Sequence, residues 1–231
     1  MHDRQPHGVE ACETVIVNKP WGYEYLMYKN SEVALWNLFI HEGSETSLHC
    51  HPHKKTGLIL LAGEAILSFL NDSHPIQALT KSMIRQGLFH STAAVSPGGI
   101  MLIETETPTD KSDLLRLTDK YGREADPYEG PGNWVPMDER CVLLDSPTDR
   151  GAIEYELEGC VLRMEKFGDV SGFEDRPPGQ VIVVLEGGLE SRLGVPVLGP
   201  GDIVWSHNLD RLTENFVCPR GAAVLTVQKN Q

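Results

Sequence analysis

The feature that most constrains this chain is the length of its apolar runs, each about what one β-strand needs. Val33–Ile40, Thr56–Leu61, Ala65–Leu70, Ile100–Glu104, Val161–Lys166, Val181–Leu185 and Ala222–Val227 are rich in Ile, Leu, Val and aromatics. Gly, Pro, Asn or Asp separates them, and the chain carries 22 glycines and 15 prolines with which to turn. Many short runs bounded by turn residues predict an all-β barrel or sandwich. Runs of this length are also too short to cross a bilayer as helices. Only residues 111–120, with Leu114, Leu115 and Leu117 on one side, predict a short helix.

The stretch from Arg123 to Asp138 holds three prolines and two glycines and reads as a connector. The strand-and-turn texture resumes after it. The expected organisation is therefore a first barrel over 1–125, a linker over 126–138 and a second barrel over 139–231. The halves share an echo. Thr56-Gly-Leu-Ile-Leu-Leu-Ala-Gly63 and Gln180-Val-Ile-Val-Val-Leu-Glu-Gly187 both run from a polar residue through an apolar strand to a glycine seven positions on. Repetition of this kind suggests two copies of one unit.

Twenty Lys and Arg against 33 Asp and Glu leave a net charge of −13, which repels nucleic acid and anionic lipid. Neither nucleic acid nor membrane is an expected partner, and an anionic small molecule needs a local basic lining. Five cysteines without a Cys-x-x-Cys spacing fit free thiols in a reducing cytoplasm. The opening Met1-His-Asp-Arg-Gln-Pro-His7 has no apolar core of the kind a signal peptide requires.

His49-Cys50-His51 is the segment with the clearest chemistry. Residues i and i+2 of a strand point to one face, so both imidazoles lie on the same side and Cys50 on the other. His90, after the turn-like Gln86-Gly87-Leu88-Phe89, supplies a third imidazole from a different strand. Three histidines on one face suit a divalent transition metal, Zn, Fe, Ni, Co or Cu, and leave positions open for water or substrate.

The spacing of Gly43, His49, His51 and Gly63, followed by Gly87 and His90, resembles the two motifs of the cupin superfamily. That resemblance implies tandem double-stranded β-helix (jelly-roll) barrels and a metal shared by His49, His51 and His90. The usual glutamate ligand is replaced by Thr56. The likeness narrows further. Lys19-Pro-Trp-Gly-Tyr-Glu24, Ser47-Leu-His-Cys-His-Pro-His-Lys-Lys-Thr56, Ile84–His90, Met101–Glu106 and Asp113–Arg123 are similar, in order, to blocks of type II mannose-6-phosphate isomerases. The nucleotidyltransferase domain often fused ahead of such barrels is not expected here.

The resemblance implies a small-molecule substrate, a sugar phosphate or related carbohydrate, and aldose–ketose isomerisation or epimerisation by metal-assisted proton transfer. His53, beyond Pro52, is the expected proton-transfer base. Lys54, Lys55 and Arg85 are the expected phosphate ligands, with Arg116 and Arg123 as weaker candidates. Two other readings are open: a three-histidine Fe(II) dioxygenase, and a non-catalytic sugar-binding or regulatory barrel. In the second half, Glu174, Arg176 and Gln180 fall on the ligand positions, so that barrel is expected to be degenerate and metal-free. Exposed edge strands make a homodimer the expected assembly.

Overall fold

The apolar runs form strands. The computed structural model describes residues 10–230, and the amino-terminal heptapeptide read for a signal sequence lies outside them. The first unit contains β1 (Val15–Lys19), β2 (Gly22–Lys29), β3 (Ala34–Ile40), β4 (Leu48–Cys50), β5 (Lys55–Ala62), β6 (Glu64–Phe69), β7 (Ser73–Gln77), β8 (Lys81–Ile84), β9 (His90–Ala94), β10 (Ile100–Thr107), β11 (Leu115–Thr118) and β12 (Trp134–Pro136). They form an antiparallel sheet in the order β12-β1-β2-β3-β10-β5-β8 and a second in the order β11-β4-β9-β6-β7. The sheets face each other as a jelly-roll barrel. Leu38, Leu58 and Leu102 from the larger sheet pack with Ala65, Leu67 and Ala94 from the smaller one.

The second unit contains β13 (Ile153–Leu157), β14 (Cys160–Phe167), β15 (Val181–Gly187), β16 (Leu189–Glu190), β17 (Pro196–Leu198), β18 (Ile203–Trp205), the helix α1 (Ser206–Thr213) and β19 (Ala222–Lys229). Its main sheet runs β13-β14-β19-β15-β18. Numbered by chain order, that is first, second, fifth, third, fourth. The strands β2-β3-β10-β5-β8 of the first unit follow the same permutation. The echo between Thr56–Gly63 and Gln180–Gly187 thus falls on equivalent strands, β5 and β15. Gly63 and Gly187 close both with positive φ, +85° and +67°, where a side chain would be strained.

The second barrel is degenerate in a specific way. A 3-10 helix, Val170–Phe173, stands between β14 and β15, where the first unit has β4. Helix α1 stands between β18 and β19, where the first unit has β9. These are the two strands that carry the histidines. Phe173 and Leu209 from the helical segments instead fill an apolar core with Ile182, Val184 and Val224.

The units share a core. Alternate residues of the larger first sheet, including Tyr25, Leu35, Ile59 and Ile103, pack against Leu162, Val183, Leu225 and Val227 of the second unit. The middle strands of the larger sheet are therefore covered on both faces, which accounts for near-continuous apolar strands such as β5.

Two expectations are corrected. Residues 111–120 form no helix; Leu115–Thr118 is an edge strand paired with β4. Leu114 and Arg116 reach the barrel interior while Leu115 and Leu117 are exposed, a period of two. The segment expected as a linker is built onto the first barrel, where Trp134–Pro136 pairs with Val15–Val17 of β1. Proline is tolerated there because β12 is an edge strand.

Candidate metal centre

The barrel mouth is assembled from β4 and β9, whose facing residues include the pair His49 and His90. His51 follows on the same face as His49. Potential ligand atoms of the three imidazoles lie within 4.8 Å of one another. Ring centroids are separated by 4.4 Å (His49–His90), 5.0 Å (His49–His51) and 5.6 Å (His51–His90). Among the described residues this is the one group of three or more His, Cys, Asp or Glu side chains close enough to share a metal ion.

Each Nδ1 faces a backbone carbonyl: Ser47 O at 2.8 Å from His49, Asp113 O at 2.6 Å from His51, and Leu88 O at 3.1 Å from His90. A carbonyl only accepts, so each Nδ1 donates its proton and each Nε2 retains a lone pair. Nε2 of His51 is buried without a hydrogen-bond partner. Burial depresses the pKa of all three, with His90 brought down to about 4 and His49 and His51 also lowered. Three neutral, pre-oriented imidazoles with one orphaned buried nitrogen fit a divalent ion well.

Thr56 is buried with an unpartnered hydroxyl. The neighbouring strand brings two carboxylates to the pocket, with Glu104 opposite Leu58 and Glu106 opposite Thr56. Glu104 Oε1 lies 3.8 Å from His51 Nε2. Burial is the main cause that raises the Glu104 pKa, and Glu106 and Glu24 add to it against the lowering effect of Lys111 and Lys54. Glu106 is held low despite its burial, because Lys111 and Lys54 surround it.

The expected site residues part company here. Lys54 lines the pocket but is no free cation, since its Nζ donates to Glu106 Oε1 at 2.7 Å and to Asp110 O at 3.0 Å. Lys55 points away and pairs with Asp202 of the second unit at 2.7 Å. Arg85 is exposed and donates only weakly, to Gln86 O at 3.4 Å. His53 is exposed and outside the pocket lining, because the chain turns at Pro52 and Asp113 holds the backbone N–H groups of His53 and Lys54. Other charged side chains share the pocket with Lys54 and with the weaker candidates Arg116 and Arg123. Glu104, Glu106, Lys19, Lys111, Arg116 and Arg123 all line it. The signal for the first two was the i, i+2 pair on a strand otherwise apolar, Ile100-Met-Leu-Ile-Glu-Thr-Glu106.

No family model matches the chain, and no curated protein matches it. Solved structures to which it is similar include an uncharacterized conserved protein with a double-stranded beta-helix domain from Klebsiella pneumoniae, at 17% identity over 38% of this chain and 72% of that one (TM-score 0.36). Another is a candidate sugar phosphate isomerase from Acidithiobacillus ferrooxidans, at 20% identity over 34% of this chain and 52% of that one (TM-score 0.32). A third is the cupin domain of Cnp3 from Schizosaccharomyces pombe, at 13% identity over 37% and 63% (TM-score 0.36). The match thus spans about half the length of the Acidithiobacillus protein.

Proposed function

We propose that the first barrel is a metal-dependent proton-transfer enzyme acting on a sugar phosphate or related carbohydrate, catalysing isomerisation or epimerisation in the manner of mannose-6-phosphate isomerases. One observation carries this reading. A buried carboxyl group, Glu104, lies beside three imidazoles whose free nitrogens converge. His49, His51 and His90 would hold Zn, Fe, Ni, Co or Cu. Such an ion, when bound, supplies Lewis acidity toward a carbonyl and its neighbouring hydroxyl.

The remaining work falls to the chain. Glu104 takes the proton from C2 of the open-chain sugar and returns it to C1, or to the opposite face of C2 in epimerisation. A carboxylate whose pKa is raised by burial is a better matched base than an exposed one. Lys54 and Lys111, paired with Glu106, favour the ionised form of Glu104 that acts as the base. Trp21, Leu38 and Leu58 on the pocket wall limit water around the reacting carbons.

The test is an NMR survey of aldose and ketose phosphates in deuterated water. Solvent deuterium at C2 of one substrate supports the reading, even with little net conversion. No exchange across the panel contradicts it. Fe(II)-linked oxygen consumption would replace it with the dioxygenase reading, and ligand-induced stabilisation without exchange would replace it with a binding module.

A further inference from the structure

The pocket contains a second charged constellation beyond the histidines. Glu129 is nearly enclosed, and its carboxylate meets three cations. Oε1 accepts from Arg123 Nη1 at 2.6 Å and lies 3.5 Å from Arg116 Nη2, while Oε2 accepts from Lys19 Nζ. All four residues line the same pocket as the histidines. Arg116 is the β11 partner of His49, so this cation cluster stands next to the candidate metal centre. One donor is left over: Arg116 Nε is buried and has no acceptor.

Glu129 arrives on a strap, not on the barrel. Between β11 and β12 the chain has no strand, and residues 124–127 and 130–133 are exposed. Polar latches hold the strap down. Tyr128 Oη donates to Glu24, Trp134 Nε1 donates to Glu129 O at 3.2 Å, and Arg116 Nη1 donates to Asp126 O at 2.6 Å. A segment without strand pairing and with exposed flanks belongs to the low-stability end of local opening.

We propose that Glu129 is a built-in occupant of an anion seat formed by Lys19, Arg116 and Arg123, and that the phosphate of a monoester substrate displaces it and lifts the strap. The ligand class follows from the competition. A tethered carboxylate acts at an effective concentration on the order of millimolar, so a free carboxylate, equal in charge, cannot dislodge it at lower concentrations. A phosphate monoester brings up to two charges and three acceptor oxygens. Lys19 keeps Glu24 and Arg123 keeps Asp119, so the phosphate replaces Glu129 alone on these cations and can take the spare Arg116 Nε–H as well. This deepens the sugar-phosphate reading and rests on it only for the identity of the substrate's other end.

The test is titration of the full chain, as purified, with inorganic phosphate and separately with acetate, followed by calorimetry and by amide hydrogen exchange. Glu129→Gln should tighten phosphate binding about tenfold or more, the equivalent of about 1.4 kcal/mol. Tyr128→Phe, which removes the latch to Glu24 but keeps the ring against Lys19, should tighten it by less. Arg116→Met should abolish binding in either background. In the unmodified protein phosphate should speed exchange of amides 124–133, and acetate should not. Unchanged or weaker phosphate affinity in a folded Glu129→Gln variant overturns the proposal, as does slower exchange in the strap or binding that survives Arg116→Met. Should Glu129→Gln fail to fold, the Tyr128→Phe affinity and the exchange measurement decide alone. No turnover is read, so loss of the isomerase reading and loss of the anion seat are separate outcomes.

Discussion

His51 Nε2 and Glu104 Oε1 face each other 3.8 Å apart, both buried. The distance is that of an ion pair, but burial and the nearby Lys54 charge drive the imidazole pKa down, while burial drives the carboxyl pKa up. The contact is therefore between a neutral imidazole and a carboxyl that resists ionisation. Burial disfavours charge on both groups, while an adjacent cation favours the ionised carboxylate and the neutral imidazole.

Glu104→Gln keeps the shape and removes the base. Metal content should stay as in the unmodified protein, while the rate of solvent exchange at substrate C2 falls by about 100-fold or more. Exchange within a few-fold of the unmodified rate would assign the proton transfer to another group.

Burial holds the His90 pKa at about 4, against an ordinary 6.5. Between those values the unfolded chain binds the proton and the folded chain does not. Stability of the metal-free protein is then full above about pH 6.5, declines as pH falls toward 4, and changes no further below it on account of this residue. The His90 share is about 3 kcal/mol at 1.36 kcal/mol per unit. Urea unfolding at pH 7 and pH 4 should show this loss, and His90→Gln should reduce the dependence. An identical pH slope in the variant would contradict the assignment.

Lys54 and Lys55 are adjacent in sequence and opposite in consequence. Lys54→Met leaves Glu106 buried with Lys111 as its remaining cation and should cost about 3 kcal/mol. Lys55→Ala breaks a partly exposed pair with Asp202 and should cost less than about 1 kcal/mol. Urea midpoints measure both, and equal effects would contradict the burial argument.

The core between the units predicts a joint transition. Tyr25, Ile59 and Ile103 of the first barrel have their outer cover in Leu162, Val183 and Leu225. Unfolding should be one cooperative step by far-UV and near-UV signals alike, and a fragment ending at 138 should aggregate or unfold. Two separated transitions would show that each barrel stands alone.

The strand runs around Ile59, Ile103, Val183 and Leu225 were legible because their apolar pattern is local and β-branched. His49, His51 and His90 were legible because strand periodicity fixes which residues share a face. Residues 114–117 misled because three leucines within four positions fit a helical stripe as well as an edge strand, and only pairing with β4 separates the two. Glu104 and Glu129 were harder still. A carboxylate in a strand reads as solvated until its partners are known, and these partners are distant: His51 from Glu104, and Lys19 lying 110 residues from Glu129. The i, i+2 spacing of Glu104 and Glu106 marks a shared face but not the distant groups that neutralise it.

The central claim is the metal centre, and elemental analysis of protein purified without added metal tests it most directly. About one divalent transition metal per chain is expected in the unmodified protein, with almost none in His49→Ala or His90→Ala variants that remain folded, since each removes one of three ligands. Stoichiometric metal retained by both variants would contradict the three-histidine centre.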